Sequence, residues 1–351
     1  MNTTISYMRA LAIICMVGGH AYTHSFLESF VSLFHMPLFF FVSGYCFKEK
    51  YLLSTKQFIS RKIKGIWLPT IKWFLPVILM HNLLLEIGVY NIDYPFSDGP
   101  TTFYSYFVFF QKIAAAILFL NVNERVFAGM WFLKCLLLSS LCGYLIIKES
   151  KSKHKLFVML CVLLFLTVLL CLYKDSLPVI GRPYLPVLST FFFICGFVLK
   201  KYYSQYEIKI SSIYMCLLYL GVLICAYLYW PSAMGRVSSK IVVPYSITAL
   251  LGIFLIMAIS RNMNNYRNSA ILKYLAYLGN NTYVILMMHV MCFKLVTLAI
   301  IYIYDESMNE LACFPTFYDY TEKGWWIVYL IIGVNMPLLF QFIYDKTIKK
   351  Q

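Results

Sequence analysis

The stretch ISYMRALAIICMVGGHAYT, residues 5–23, is apolar throughout except for Arg9 near its start and His20 near its end. It is long enough to cross a bilayer, which takes about 17–25 residues. No small-residue cleavage site follows Gly18-Gly19-His20, so the segment is expected to be a retained helix and not a secretory signal. Eleven residues of helix turn through about 1100° and rise about 16 Å. Arg9 and His20 therefore share one face, Arg9 close to the inner surface and His20 toward the outer one. The two glycines before His20 let another helix or a ligand approach the backbone closely.

Comparable runs recur at 30–47, 66–86, 129–147, 156–173, 184–199, 210–230, 241–260, 282–303 and 325–344. The chain is 61% hydrophobic and 13% charged, against roughly 25% charged in a soluble domain. These features predict an all-α polytopic membrane bundle of ten helices, with residues 1–351 forming a single transmembrane domain. Membrane lipids are then its permanent partners.

The formal charge of +15 raises the question of a nucleic-acid partner, and its distribution answers it. With a cytoplasmic N-terminus, the inner loops and tail carry 19 Lys and Arg, the outer loops seven. Acidic residues run the other way, four inside and ten outside. That is the positive-inside pattern, so the charge signals topology, not nucleic acid, and both termini are expected in the cytoplasm. An eleventh span at TFYSYFVFFQKIAAAILFL, residues 102–120, would invert every later loop and place KESKSKHK outside. Gln111 and Lys112 at its midpoint are also costly in lipid. Residues 87–128 are accordingly read as an outer segment with a re-entrant or interfacial helix, and the turn-rich YPFSDGP lies within it. The eleven cysteines fall almost wholly in apolar runs, with no CxxC pair or cysteine–histidine spacing suited to a metal. They read as small hydrophobes, and no metal site is expected.

Ionisable groups at membrane depth mark function or a watery cavity. Lys72 can snorkel to the headgroups, and His81 and Glu86 sit near an outer interface. His35, in FHMPLFFFVSGY, lies about one turn inside the outer surface, at a depth similar to His20. Two histidines there form a candidate proton-transfer site, because imidazole exchanges a proton near neutral pH. His289, in GNNTYVILMMHV, falls in the inner half of its span. Lys294 and Lys134 need partners, and a bound anion would serve. The inner stretch KEKYLLSTKQFISRKIKGIWLP suits anionic lipid, or a phosphate-rich ligand held by Arg61, Lys62 and Lys64.

Taken in order, these elements resemble acyltransferase family 3, the integral membrane enzymes that O-acetylate bacterial surface glycans. The arginine, ten residues and histidine of the family's first helix are matched by Arg9 and His20. FHMPLFFFVSGYCFK supplies His35, Met36, Pro37, Phe39, Ser43 and Gly44, and SRKIKGIWLP supplies Arg61 and Pro69. Trp131, Phe132 and Leu133 form the WFL element, and the Gly-Asn-Asn-Thr-Tyr segment closes on His289. Lys64 stands where the family often has a second arginine. The resemblance is to the single-domain, stand-alone members, so an extracellular hydrolase-like domain is not expected after the last span.

The resemblance implies an acyl-coenzyme A donor, most often acetyl, with no permanently bound cofactor. It implies a hydroxyl of a cell-surface glycan, or of its lipid-linked precursor, as acceptor. The setting would be the inner membrane of a bacterium. Arg61, Lys62 and Lys64 would hold the donor phosphates, with Arg9 further along the path. His20 would act as general base or carry the acyl group briefly, and His35 would orient it or relay its proton. Trp131, Tyr283 or His289 would meet the substrate or the oxyanion. The rival readings are a transporter or flippase using its histidines as a proton relay, for which no inverted repeat is evident, and an assembly partner without chemistry of its own.

Overall fold

The computed structural model describes residues 3–23, 25–91, 102–120, 124–127, 129–150, 152–173, 182–204, 213–229 and 232–347. Every regular element among them is helical. Eight runs are long and apolar enough to cross a membrane: Thr3–Ala21, Phe26–Tyr45, Trp131–Glu149, Lys153–Leu172, Tyr184–Tyr202, Val242–Tyr266, Thr282–Tyr304 and Tyr318–Thr347. The chain is a multi-pass membrane protein.

One of the ten expected spans takes a different form. In place of one helix over 66–86 the chain makes a π-helical turn, Ile63–Trp67, then α5 (Leu68–Leu79), then α6 (His81–Glu86) beyond a break at Met80. Pro76 inside α5 has no N–H to give, and its ring crowds the carbonyl four residues earlier. The seventh span is described from Ile213 to Tyr229, its first residues lying outside the described ones. YPFSDGP lies outside them as well. In the 102–120 stretch, α7 (Tyr106–Ile117) has 12 residues. At 1.5 Å per residue that is about 18 Å, short of a hydrocarbon core of about 30 Å, so α7 does not cross alone. Ser105 caps its N-terminus through Val108 N–H.

The chain divides into two compact units. The first comprises Met1–Met16, Phe26–Arg61 and Cys135–Asn280. It holds the start of α1 (Thr3–Ala21), α2 (Phe26–Ser32), α3 (His35–Tyr45), α4 (Thr55–Lys62), most of α8 (Met130–Glu149), α9 (Lys153–Leu172), α10 (Tyr184–Tyr202), α11 (Ile213–Tyr229), α12 (Val242–Met263) and α13 (Ala270–Asn280). Small residues let these helices approach closely. A Cβ on Gly44 of α3 would fall 1.8 Å from the Phe193 carbonyl oxygen of α10, and one on Gly196 of α10 would fall 2.0 Å from the Phe41 oxygen of α3. Gly279 of α13 meets the Ser6 carbonyl of α1 in the same way, beside a 2.8 Å bond from Ser6 Oγ to Asn280 Oδ1.

The second unit comprises Val17–Ser25, Lys62–Lys134 and Asn281–Gln351, and so receives the end of α1. Its centre is α14 (Thr282–Tyr304) against α15 (Trp326–Thr347). Gly333 sits under the Phe293 ring, and Thr297 Oγ1 and Tyr329 OH are 2.8 Å apart. In the same unit α7 packs on α5, with Trp67 Nε1 donating to the Ile117 carbonyl at 3.0 Å.

Candidate active site

In the last turn of α1, His20 is brought to His289 of α14, both in the second unit. The ring centroids are 5.4 Å apart and the planes inclined at 46°. His289 is 2% exposed and His20 half-buried. Depth counted along the sequence separates these residues, and the structure brings them together. Counting from a helix start gives depth only where helices stand upright with level ends, and tilt breaks that rule.

His289 is held from behind. Its Nδ1 lies 3.0 Å from the carbonyl oxygens of both Ile285 and Leu286. A carbonyl only accepts, so Nδ1 carries the hydrogen and donates. Phe293, one turn on, packs edge-on against the ring at 5.7 Å. Near the end of α1, Tyr22 stacks on Trp326 at 5.6 Å with the planes 8° apart. Two adjacent imidazoles, one with its tautomer set by the backbone, form a pair in which one ring can orient the other for proton transfer.

The other substrate or oxyanion candidates of this unit are half-buried. Tyr283 OH is 3.5 Å from Thr70 Oγ1, and Trp131 lies edge-on to Phe132. The first unit holds His35, whose Nδ1 donates to the Val31 carbonyl at 2.7 Å. It also holds Arg9, whose guanidinium lies 3.9 Å from the Cys46 sulfur, and Arg61, stacked over Tyr51 at 5.2 Å. Of the basic run, Lys64 is exposed and Lys62 half-buried. Burial pushes the Lys62 ammonium down to about 8.

Lys294 differs from the anion site expected of it. Its Nζ donates to the Leu311 and Cys313 carbonyls, closing the 3-10 turn Met308–Ala312 onto α14. A cation at depth can be satisfied by backbone oxygens as well as by an acid or anion.

Sequence reasoning missed Glu124, whose carboxylate is fully buried. His81 Nδ1 lies 3.1 Å from Glu124 Oε2, and His81 Nε2 lies 3.0 Å from the Thr102 carbonyl. Both of these partners are hydrogen-bond acceptors, so each ring nitrogen faces an oxygen it can donate to. Tyr90 and Tyr104 donate to the two carboxylate oxygens at 3.0 and 2.9 Å. Burial, and then the Glu124 charge, push both phenols up, so they remain donors. The Tyr104 ring stacks on His81 at 3.5 Å. Glu124 stands outside any helical period, in the short polar stretch NVNER, and no spacing signal in the sequence singles it out. Every polar atom of this cluster named here is satisfied, which makes it a clasp joining His81 and Tyr90 to Thr102, Tyr104 and Glu124.

Among the described residues no group of three His, Cys, Asp or Glu is placed to hold a metal. A family model described as an acyltransferase domain matches residues 2–338. No curated protein and no solved structure matches.

Proposed function

The chain belongs to acyltransferase family 3 and is a membrane acyltransferase; from that premise we propose that it moves an acyl group, acetyl first among them, from acyl-coenzyme A to a glycan hydroxyl. The acceptor is a cell-surface glycan or its lipid-linked precursor, and the setting is a bacterial plasma membrane with both termini cytoplasmic. The single observation that supports the chemistry is the placement of His20 against His289, inside the matched region.

In this reading His20, the more accessible of the pair, is the general base. The acceptor O–H bond breaks toward its ring nitrogen while the oxygen attacks the thioester carbonyl. The tetrahedral oxyanion is met by an N–H or O–H donor, for which Trp131 and Tyr283 are the candidates. Collapse breaks the C–S bond, and the proton on His20 passes to the departing thiolate, leaving ester and free coenzyme A. Arg61, Lys62, Lys64 and Arg9 recognise the donor's phosphates by charge. His35 assists from α3 by orientation or relay.

Coenzyme A release tests this. Purified protein in nanodiscs receives acetyl-coenzyme A and a lipid-linked glycan extract. Wild type should release coenzyme A and acetylate the glycan. His20→Ala should fold but lose about 10²–10⁴-fold in rate, the usual worth of a general base. Arg9→Ala should lose donor binding, and His35→Ala should reduce turnover. Full turnover by His20→Ala would remove it from the chemistry. Wild type that neither binds nor consumes the donor would favour a transporter.

A further inference from the structure

His289 offers a second observation that its nearness to His20 does not contain. Its Nδ1–H is committed to the carbonyls of Ile285 and Leu286, so in the neutral ring the lone pair is confined to Nε2. That Nε2 is fully buried and has no hydrogen-bond partner among the described residues. An acceptor buried without a partner is rare, and it costs about 1–3 kcal/mol. Such an atom is tolerated where a moving or transient donor completes it. The neighbouring ring is that of His20, 5.4 Å away centre to centre. No hydrogen bond joins the two rings as they stand, but their spacing leaves room for an N–H···N bond of about 3 Å once a His20 ring nitrogen turns toward Nε2.

We propose that His289 is the positioning residue of the acyl transfer: its backbone-fixed Nε2 accepts a hydrogen bond from one ring N–H of His20. With one nitrogen of His20 committed as donor, the lone pair must sit on the other, which is the atom that takes the hydroxyl proton. As His20 becomes an imidazolium, the same bond becomes charge-assisted and strengthens. His289 therefore stabilises the state in which the proton is in transit, without touching substrate. The logic is that of a base oriented by a third group, with an imidazole lone pair where other enzymes place a carboxylate. A neutral orienting group suits this site, because an unpaired carboxylate 2% exposed at membrane depth would carry a large desolvation penalty.

This inference rests on the acyl-transfer reading, and two variants separate its failure from that of the reading. His289→Leu keeps the volume and removes the acceptor. His289→Gln keeps an amide N–H to meet the Ile285 and Leu286 carbonyls and a carbonyl oxygen to accept from His20. With acetyl-coenzyme A and the lipid-linked glycan extract, His289→Leu should lose kcat on the order of 10²-fold, as expected for a mispositioned base. Its KM for acetyl-coenzyme A should stay unchanged. His289→Gln should recover most of that loss. In ¹⁵N-histidine spectra, His20 should hold a single neutral tautomer in wild type and a mixture in His289→Leu.

If wild type turns over and His20→Ala does not, yet His289→Leu keeps its kcat, the positioning role is wrong and the acyl-transfer reading survives. A fall in kcat that His289→Gln fails to rescue, with an unchanged His20 tautomer, also overturns it, since a merely structural residue would behave that way. If wild type consumes no donor, both readings fall together.

Discussion

Gly44 of α3 lies so close to α10 that a Cβ added to it would fall 1.8 Å from the Phe193 carbonyl oxygen, and Gly196 of α10 stands in the same relation to Phe41 of α3. Each helix thus offers a missing side chain to the other's backbone. Without a hydrophobic drive between helices in lipid, such close approach is where packing energy is gained.

Gly44→Ala and Gly196→Ala should each destabilise the protein at or above the upper end of the ~1–3 kcal/mol typical of overpacking, because the obstructing atom is backbone and cannot rotate away. Gly221 of α11 has nothing within 4 Å of an added Cβ, so Gly221→Ala should be neutral or stabilising by up to about 1 kcal/mol. Thermal melts in one detergent compare all three. Equal melting temperatures would show that the α3–α10 crossing is looser than described.

The clasp around Glu124 predicts a local failure. Glu124→Ala strands the buried His81 Nδ1 and two tyrosine hydroxyls, and each buried polar group left unsatisfied costs about 1–3 kcal/mol. Protease should then nick residues 87–128 first. Glu86, exposed on the neighbouring helix, should change nothing when replaced by alanine. Unaltered proteolysis of Glu124→Ala would mean that other contacts hold the segment.

Lys62 carries a pH prediction. Its folded value of about 8 lies below the ordinary 10.5 because burial disfavours the charge. Between those values the unfolded chain binds more protons, so this group makes stability rise with pH through that window. Under the proposed donor contact, binding runs the other way, since phosphate needs the ammonium. KM for acetyl-coenzyme A should climb as pH passes about 8, and Lys62→Arg should flatten the rise, because a guanidinium stays charged. A KM that climbs identically in Lys62→Arg would take Lys62 off the donor path.

Lys294→Met separates a structural cation from an anion site. The variant leaves the Leu311 and Cys313 carbonyls without their donor, at about 1–3 kcal/mol for each buried acceptor that stays unsatisfied. The turn Met308–Ala312 should exchange amide hydrogens faster while the donor KM holds. A raised KM with unchanged exchange would restore the anion reading.

Much of this is legible along the chain. The helical membrane class follows from apolar runs of bilayer length. The shared face of Arg9 and His20 follows from their spacing. The shortness of the helix within 102–120 is foreshadowed by Gln111 and Lys112. The break at Met80 is harder to see, because Pro76 announces a weakness in the helix without saying where the chain will turn.

The sequence by itself determined the helical membrane class, through composition and apolar runs of bilayer length, and the family, through the order of its motifs along the chain. Only the tertiary structure decided that His20 meets His289, that Lys294 rests on backbone carbonyls and that Glu124 answers His81. A soluble helix shows its inward face by being polar on the other side. These helices are apolar all round, so nothing in the pattern marks which face turns to a neighbour, and a partner more than 250 residues away is chosen by how helices cross and pack.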